Sequence, residues 1–264
     1  MIAPTPLHLP DSQISWHHLA LDSVDSTNDV ALRQAEEGAA EGLIVTARSQ
    51  RCGRGRLGRR WQSGTDESLI MSVLLRPTWL PPQRASTLSL LTALALFDAL
   101  NLPNSRLKWP NDLLVDGKKI AGILTEMRTG TATDGTRINA VVIGIGINLR
   151  TPHDGWANNF RLPATSLAEQ NVDSDANVWL PRILLQLDRR YTQLRAQGFT
   201  PIANAWWQAH GDGHMVRVNE GSQPWQGTAI KLDDDGALLV ARDNGIQRVV
   251  TADVIHLPQL LSTH

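Results

Sequence analysis

The sequence has a single cysteine, Cys52, in 264 residues. That excludes an internal disulfide and a cysteine-held structural metal, and it fits a reducing compartment. An excess of charge of one sign is also lacking: 25 Lys and Arg stand against 26 Asp and Glu. No global field therefore draws the chain onto nucleic acid or an anionic membrane, and any positive site must be local. Long apolar runs are missing too. The longest, Leu88 to Leu100, is interrupted by Ser89, Thr92 and Asp98 and falls short of the roughly 20 residues needed to span a bilayer. Met1 to Pro10 has neither the basic start nor the apolar stretch of a secretory signal. The expected location is the cytoplasm, with no membrane partner. No internal repeat or low-complexity tract breaks the chain. With 42% hydrophobic and 19% charged residues it can build a sizeable core.

What is present is an ordered series of helix and strand patterns. Trp16 to Leu21 reads as a strand. The polar run Asp25-Ser26-Thr27-Asn28-Asp29 reads as a helix start, because these side chains can accept from free backbone N–H groups, and the helix runs to about Glu37. Gly42 to Ala47 and Ser68 to Leu75 are short apolar strands, and Gln83 to Leu100 is a core helix. Arg106 to Leu107, Leu113 to Val115, Ile120 to Glu126 and Asn139 to Leu149 alternate like consecutive strands. Thr165 to Gln170, Asn177 to Gln197 and Pro201 to His210 read as helices, the middle one with an apolar stripe of Ile183, Leu184, Leu187, Tyr191 and Leu194. Past Gly211 the pattern changes to short strands: Met215 to Val218, Trp225 to Leu232, Ala237 to Ala241, Gln247 to Thr251 and Val254 to Leu257. The expected fold is α+β, with a mixed, largely antiparallel sheet and flanking helices in residues 1–211 and a small β-barrel in residues 212–264.

Three stretches carry chemistry. Gln50 to Trp61 packs five arginines and three glycines into twelve positions. Glycines let backbone approach a ligand, and guanidinium forks bind phosphate or carboxylate oxygens in pairs, so the stretch can act as an anion clamp. A solvated basic loop and an RNA-binding module using this Arg/Gly segment stay open as alternatives. No Gly-Lys-Ser/Thr closes it, which excludes the P-loop architecture. The second stretch is Lys108-Trp109-Pro110-Asn111-Asp112 with Asp116 to Leu124. Its ordinary reading is a turn and a hairpin tip, but Lys119 at a strand start can project towards a ligand. Strict alternation puts Lys119 and Ala121 on one face and Ile120 on the other. In the third, Gly144-Ile145-Gly146-Ile147-Asn148, two glycines stand where a buried strand prefers bulk, marking close approach of a ligand or a bulge.

With Asp25-Ser26-Thr27-Asn28 ahead of them, these stretches in this order resemble the bacterial biotin protein ligases. The likeness runs from about Leu21 to Leu149 and more loosely beyond. It implies a catalytic domain similar to the class II aminoacyl-tRNA synthetase core followed by an SH3-like barrel. It further implies that ATP activates biotin as biotinyl-5'-AMP, which then biotinylates a biotin carboxyl carrier protein of acetyl-CoA carboxylase. Ser26, Thr27, Asn28, Gln50, Arg54, Gly55, Arg56, Lys119, Gly122, Gly144 and Gly146 would hold biotin. Arg54, Arg56, Trp61, Asn111, Lys119 and Asn148 would hold the nucleotide. Arg56, Lys119 and Lys108 would be catalytic, and Asp112 would help hold Mg²⁺. No thiol intermediate is implied, so Cys52 is a bystander. About twenty residues before the first catalytic strand leave no space for the repressor domain of some members, so no specific DNA binding is expected. The oligomer would be a monomer or a homodimer. A lipoate-type ligase shares the fold and chemistry but differs in the Arg/Gly loop and the Lys-Trp-Pro-Asn-Asp motif.

Overall fold

The computed structural model describes residues 3–62, 64–132, 135–156, 162–211, 213–220 and 223–256. The first segment runs β1 (Thr5–Leu7), β2 (Trp16–Val24), α1 (Thr27–Glu36), β3 (Leu43–Gln50) and β4 (Ser68–Leu75). The next is α2 (Ser86–Leu100), β5 (Ser105–Lys108), β6 (Asp112–Val115), β7 (Lys118–Ala132) and β8 (Gly135–Asn148). Helices α3 (Ala176–Gln197) and α4 (Thr200–His210) lead to β9 (Met215–Asn219), β10 (Trp225–Leu232), β11 (Leu238–Arg242), β12 (Gly245–Val249) and β13 (Asp253–His256). Among the described residues no helix is long and apolar enough to cross a membrane.

The main sheet has eight strands in the order β1-β2-β3-β4-β8-β7-β6-β5. Among the described strands of the sheet only β2 and β3 pair in parallel, joined by α1 as the crossover. The sheet is therefore mixed and largely antiparallel, as the strand pattern suggests. Every residue of β4 is buried, because helices cover both faces of the sheet. Helix α1 seals one face through Ala31 and Leu32 against Val45, Leu74 and Val142. The other face takes α2, α3 and α4. Helix α2 is apolar on nearly all sides, since it lies between sheet and helices. Its one carboxylate, Asp98, pairs with Arg190 of α3 at 2.7 Å.

The C-terminal strands form an antiparallel sheet in the order β12-β11-β10-β9-β13. It docks on α2, α4 and the β5–β6 turn through shared core residues and polar ties. Trp109 Nε1 donates to the Gly236 carbonyl at 3.0 Å, and Ser86 Oγ donates to the Asp235 carbonyl at 2.7 Å. Gly236 has φ +87°, and a Cβ there would lie 2.6 Å from Leu90 Cδ1, so the close approach requires glycine.

Most expected elements lie within three residues of their predicted limits, and β1 is an additional edge strand. Thr165 to Gln170 is a correction: the segment forms turns, not a helix. Its N–H groups are drawn to neighbouring strands, Thr165 to the Lys119 carbonyl, Leu167 to Asn148 and Ala168 to Leu149, each at 3.0 Å. Those long-range bonds replace the helical ones. Asp212, Gly221, Ser222 and residues 257–264 of the expected barrel, including the end of its last expected strand at Leu257, lie outside the described residues.

Candidate active site

A cavity of about 890 Å³ opens between the ends of β3, β4, β7 and β8, under the stretch Arg54 to Trp61. All sixteen site residues picked from the sequence line it. It has a neutral hydrogen-bonding end, a cationic end and a glycine floor.

The neutral end is set by the start of α1. Ser26 occupies the cap position without a side-chain cap bond. The side-chain amide oxygen of Gln50, at the end of β3, takes that role and accepts from Thr27 N–H at 2.8 Å and Thr27 Oγ1 at 3.1 Å. Ser72 on β4 reaches Thr27 Oγ1 at 2.7 Å and Asn28 Oδ1 at 2.6 Å, and Asn28 Nδ2 donates to Glu126 at 2.7 Å. Ser26, Thr27, Asn28 and Ser72 are buried. Their polar atoms form one pre-ordered network suited to an uncharged ligand with donors and acceptors.

At the cationic end Asp112, the first residue of β6, stands between two ammonium groups. Its Oδ1 is 2.5 Å from Lys119 Nζ and its Oδ2 is 3.6 Å from Lys108 Nζ. Burial would raise the Asp112 pKa, but the two lysines more than offset this and hold it below the usual carboxylate value. Burial pulls Lys108 down, with Asp112 opposing. Arg56 enters the same end. Its side chain makes no ion pair among the described residues, and burial lowers its pKa. Arg54 is otherwise engaged, 2.7 Å from Asp29 and 2.9 Å from Glu126, which raises its pKa.

The Lys119 face needs a correction. The register of β6 against β7 shifts between Leu113 and Leu114, so Leu113 faces Ala121 while Leu114 faces Lys119. This bulge breaks the alternation. Ile120 and Ala121 both enter the core, while Lys119 comes beside Gly122 at the cavity. The glycines leave space for side chains of the site. A Cβ on Gly146 would lie 2.4 Å from Trp61 Cε2, and one on Gly122 would lie 2.8 Å from Lys119 Nζ. Trp61 rests on this floor with Lys119 Nζ 5.6 Å from its ring centroid, and its buried indole N–H has no partner among the described residues. Asn111 donates to the Ile123 carbonyl at 2.7 Å, and Asn148 donates to the Thr165 carbonyl at 2.9 Å. Both amides thus brace the strands that carry Lys119.

Sequence reasoning missed Ser72, Glu126, Trp156 and Asp253. Trp156 and Asp253 line the cavity, while Ser72 and Glu126 support its neutral end from behind. None sits in a local motif. The only signal was a polar residue within an apolar strand, as at Ser72.

Residues 20–148 match the Biotin/lipoate A/B protein ligase family, and residues 213–257 match the biotin protein ligase C terminal domain. The biotin--[acetyl-CoA-carboxylase] ligase of Paracoccus denitrificans is 36% identical, over 89% of this chain and 98% of its own. The chain belongs to the biotin protein ligase family. A bifunctional ligase/repressor of Bacillus spizizenii is 35% identical, over 90% of this chain and 73% of its own. The biotin protein ligase of Aquifex aeolicus in complex with biotin and ATP superposes with a TM-score of 0.73 at 26% identity, over 91% of this chain and 98% of that one. Among such ligases, this chain shows a cavity whose neutral and cationic ends can hold the two ends of an acyl substrate.

Proposed function

We propose that the chain is an ATP-dependent ligase that converts biotin to biotinyl-5'-AMP and transfers the biotinyl group to a lysine of a biotin carboxyl carrier protein of acetyl-CoA carboxylase. The observation that carries this reading is the division of one cavity into a neutral hydrogen-bonding end and a cationic end beneath an arginine-rich roof. Ser26, Thr27, Asn28 and Gln50 suit the ureido ring, Gly122, Gly144 and Gly146 let Lys119, Asn28 and Trp61 lie close against the strands of the site, and Arg56, Lys108 and Lys119 suit the carboxylate and phosphates.

In the first displacement a biotin carboxylate oxygen attacks the α-phosphorus of ATP, and the bond to pyrophosphate breaks. Two anions must meet, so the cations of the site lower the barrier by neutralising them where charge develops. In the second, the neutral amine of the carrier lysine attacks the acyl carbon, AMP leaves, and the amine loses a proton. No enzyme nucleophile takes part, and Cys52 does not line the cavity. Gly55 and Arg54 would close the roof, and Trp61, Asn111 and Asn148 would flank the nucleotide.

The described residues do not build a magnesium site of their own. No cluster of three acidic, histidine or cysteine groups converges among them, and both oxygens of Asp112 face lysines. Magnesium would arrive bound to the triphosphate, and Asp112 serves to hold Lys108 and Lys119. For the fold we propose the class II synthetase-like arrangement for residues 1–211 and the SH3-like barrel for residues 212–264. The mixed sheet and the five-stranded C-terminal sheet support this.

Biotin-dependent exchange of pyrophosphate into ATP tests the reading. Exchange with biotin is expected; exchange with lipoate and none with biotin would move the chain to the lipoate-type reaction.

A further inference from the structure

The arginine-rich roof is tied down at both its base and its tip. At the base, Arg51 N–H and Cys52 N–H donate to the carbonyls of Val24 and Asp25, both at 2.9 Å. The tip is the turn Arg56–Gly58, closed by Gly55 N–H on the Arg59 carbonyl at 2.7 Å. Leu57 at its crest has φ 57° and is 64% exposed, so no apolar seat holds the turn down. Arg59 reaches across instead: its Nη2 lies 3.1 Å from Oδ1 of Asp253, the first residue of β13 in the C-terminal sheet. The Asp253 side chain is 13% exposed, beside Ala252 and Ile255, which line the same cavity.

Charge gives this contact a second purpose. Six cationic side chains line the cavity, and Asp112 and Asp253 are the only carboxylates that do so among the described residues. Asp112 is held by the two lysines, so Asp253 is the acid that faces the roof. The field of Arg59 acts on both Arg56 and Lys108. A carboxylate at Arg59 therefore also relieves repulsion at the cationic end.

We propose that Asp253 is a positioning residue: by holding Arg59 it docks the tip of the arginine loop on the C-terminal sheet and sets Arg56 in the cavity. The C-terminal sheet is thereby the catch of the roof. The kinetic consequence rests on the ligase reading, but the docking does not.

The test uses the full chain with Asp253→Asn, Asp253→Glu, Arg59→Ala, the double variant Arg59→Ala/Asp253→Asn, and the charge exchange Arg59→Asp/Asp253→Arg. Chymotryptic cleavage after Leu57 reads docking directly, without substrate. A half-exposed ion pair predicts about a three- to fivefold faster cut in Asp253→Asn and Arg59→Ala. Asp253→Glu and the charge exchange should return the rate towards that of the natural sequence. Equal rates in all variants, or an exchange variant cut as fast as the single ones, overturn the proposal. Biotin-dependent pyrophosphate exchange is the second readout. The expected result is a fall in kcat with KM for biotin within about twofold, and single losses that do not add in the double variant. Additive losses, or a change confined to KM, overturn it. Arg59 lies in an exposed loop, so Arg59→Ala keeps the test open if a change at Asp253 prevents folding. Absence of exchange in the natural sequence would defeat the ligase reading, while the cleavage rates would still decide the docking.

Discussion

Asp112→Asn removes the charge between Lys108 and Lys119 and leaves the shape of the site almost unchanged. Asp112 is 8% exposed and Lys108 is 5% exposed, so water cannot replace the lost carboxylate around Lys108. Removing one partner of a buried pair costs about 3–5 kcal/mol. Two features favour the lower figure: the Lys119 side chain is 28% exposed and can turn to water, and Lys108 can release its proton. The expected loss is about 3 kcal/mol near neutral pH, roughly 6–12 °C in Tm for a chain of this size. The pH dependence has a definite sign. The folded-state pKa of Lys108 lies below its usual 10.5, so the unfolded chain binds more protons across that window and stability rises with pH there. Without Asp112 that window extends towards neutrality. The deficit of the variant should therefore be larger at pH 6 than at pH 9. Urea denaturation followed by tryptophan fluorescence at both pH values measures it. The double variant Lys108→Met/Asp112→Asn should recover at least half of the loss. A deficit under about 1 kcal/mol, or one equal at the two pH values, would refute the buried-pair account.

Other expectations follow from the same geometry. Arg56→Ala should lower biotin-dependent pyrophosphate exchange about 10²–10³-fold with little change in Tm, the usual cost of one transition-state donor. A melting loss as large as that of Asp112→Asn would assign Arg56 a structural task. Gly146→Ala should displace Trp61, because the new Cβ would lie 2.4 Å from Cε2. A displacement of about 1 Å costs about 10²-fold in exchange rate, and unchanged kinetics would show that the indole has slack. Burial drives His210 down to about 4 from 6.5, so its stabilising effect is present above pH 6.5 and lost as pH falls towards 4. Acid unfolding should lose up to about 3 kcal/mol of slope in His210→Gln, read by denaturation between pH 7 and 4.

Elements whose signal is local were legible in the residue pattern. Ser68–Leu75 is apolar at nearly every position and became the buried strand β4, and Gln83 to Leu100 became α2 preceded by a short turn. The motif residues were legible because their chemistry is concentrated: arginines and glycines between Gln50 and Trp61, and lysines and Asp112 around a proline turn. Features that depend on partners distant in sequence came from the folded chain alone. The bulge at Ile120 chose the face of Lys119, and the carbonyls of Lys119, Asn148 and Leu149 drew Thr165 to Gln170 out of a helix. Ser72 reached Asn28, Glu126 shared Arg54 with Asp29, and Asp253 met Arg59, contacts that no spacing announces. The physical reason is that periodicity reports the burial of one element, whereas a charge or amide is satisfied by whatever the fold brings within about 3 Å.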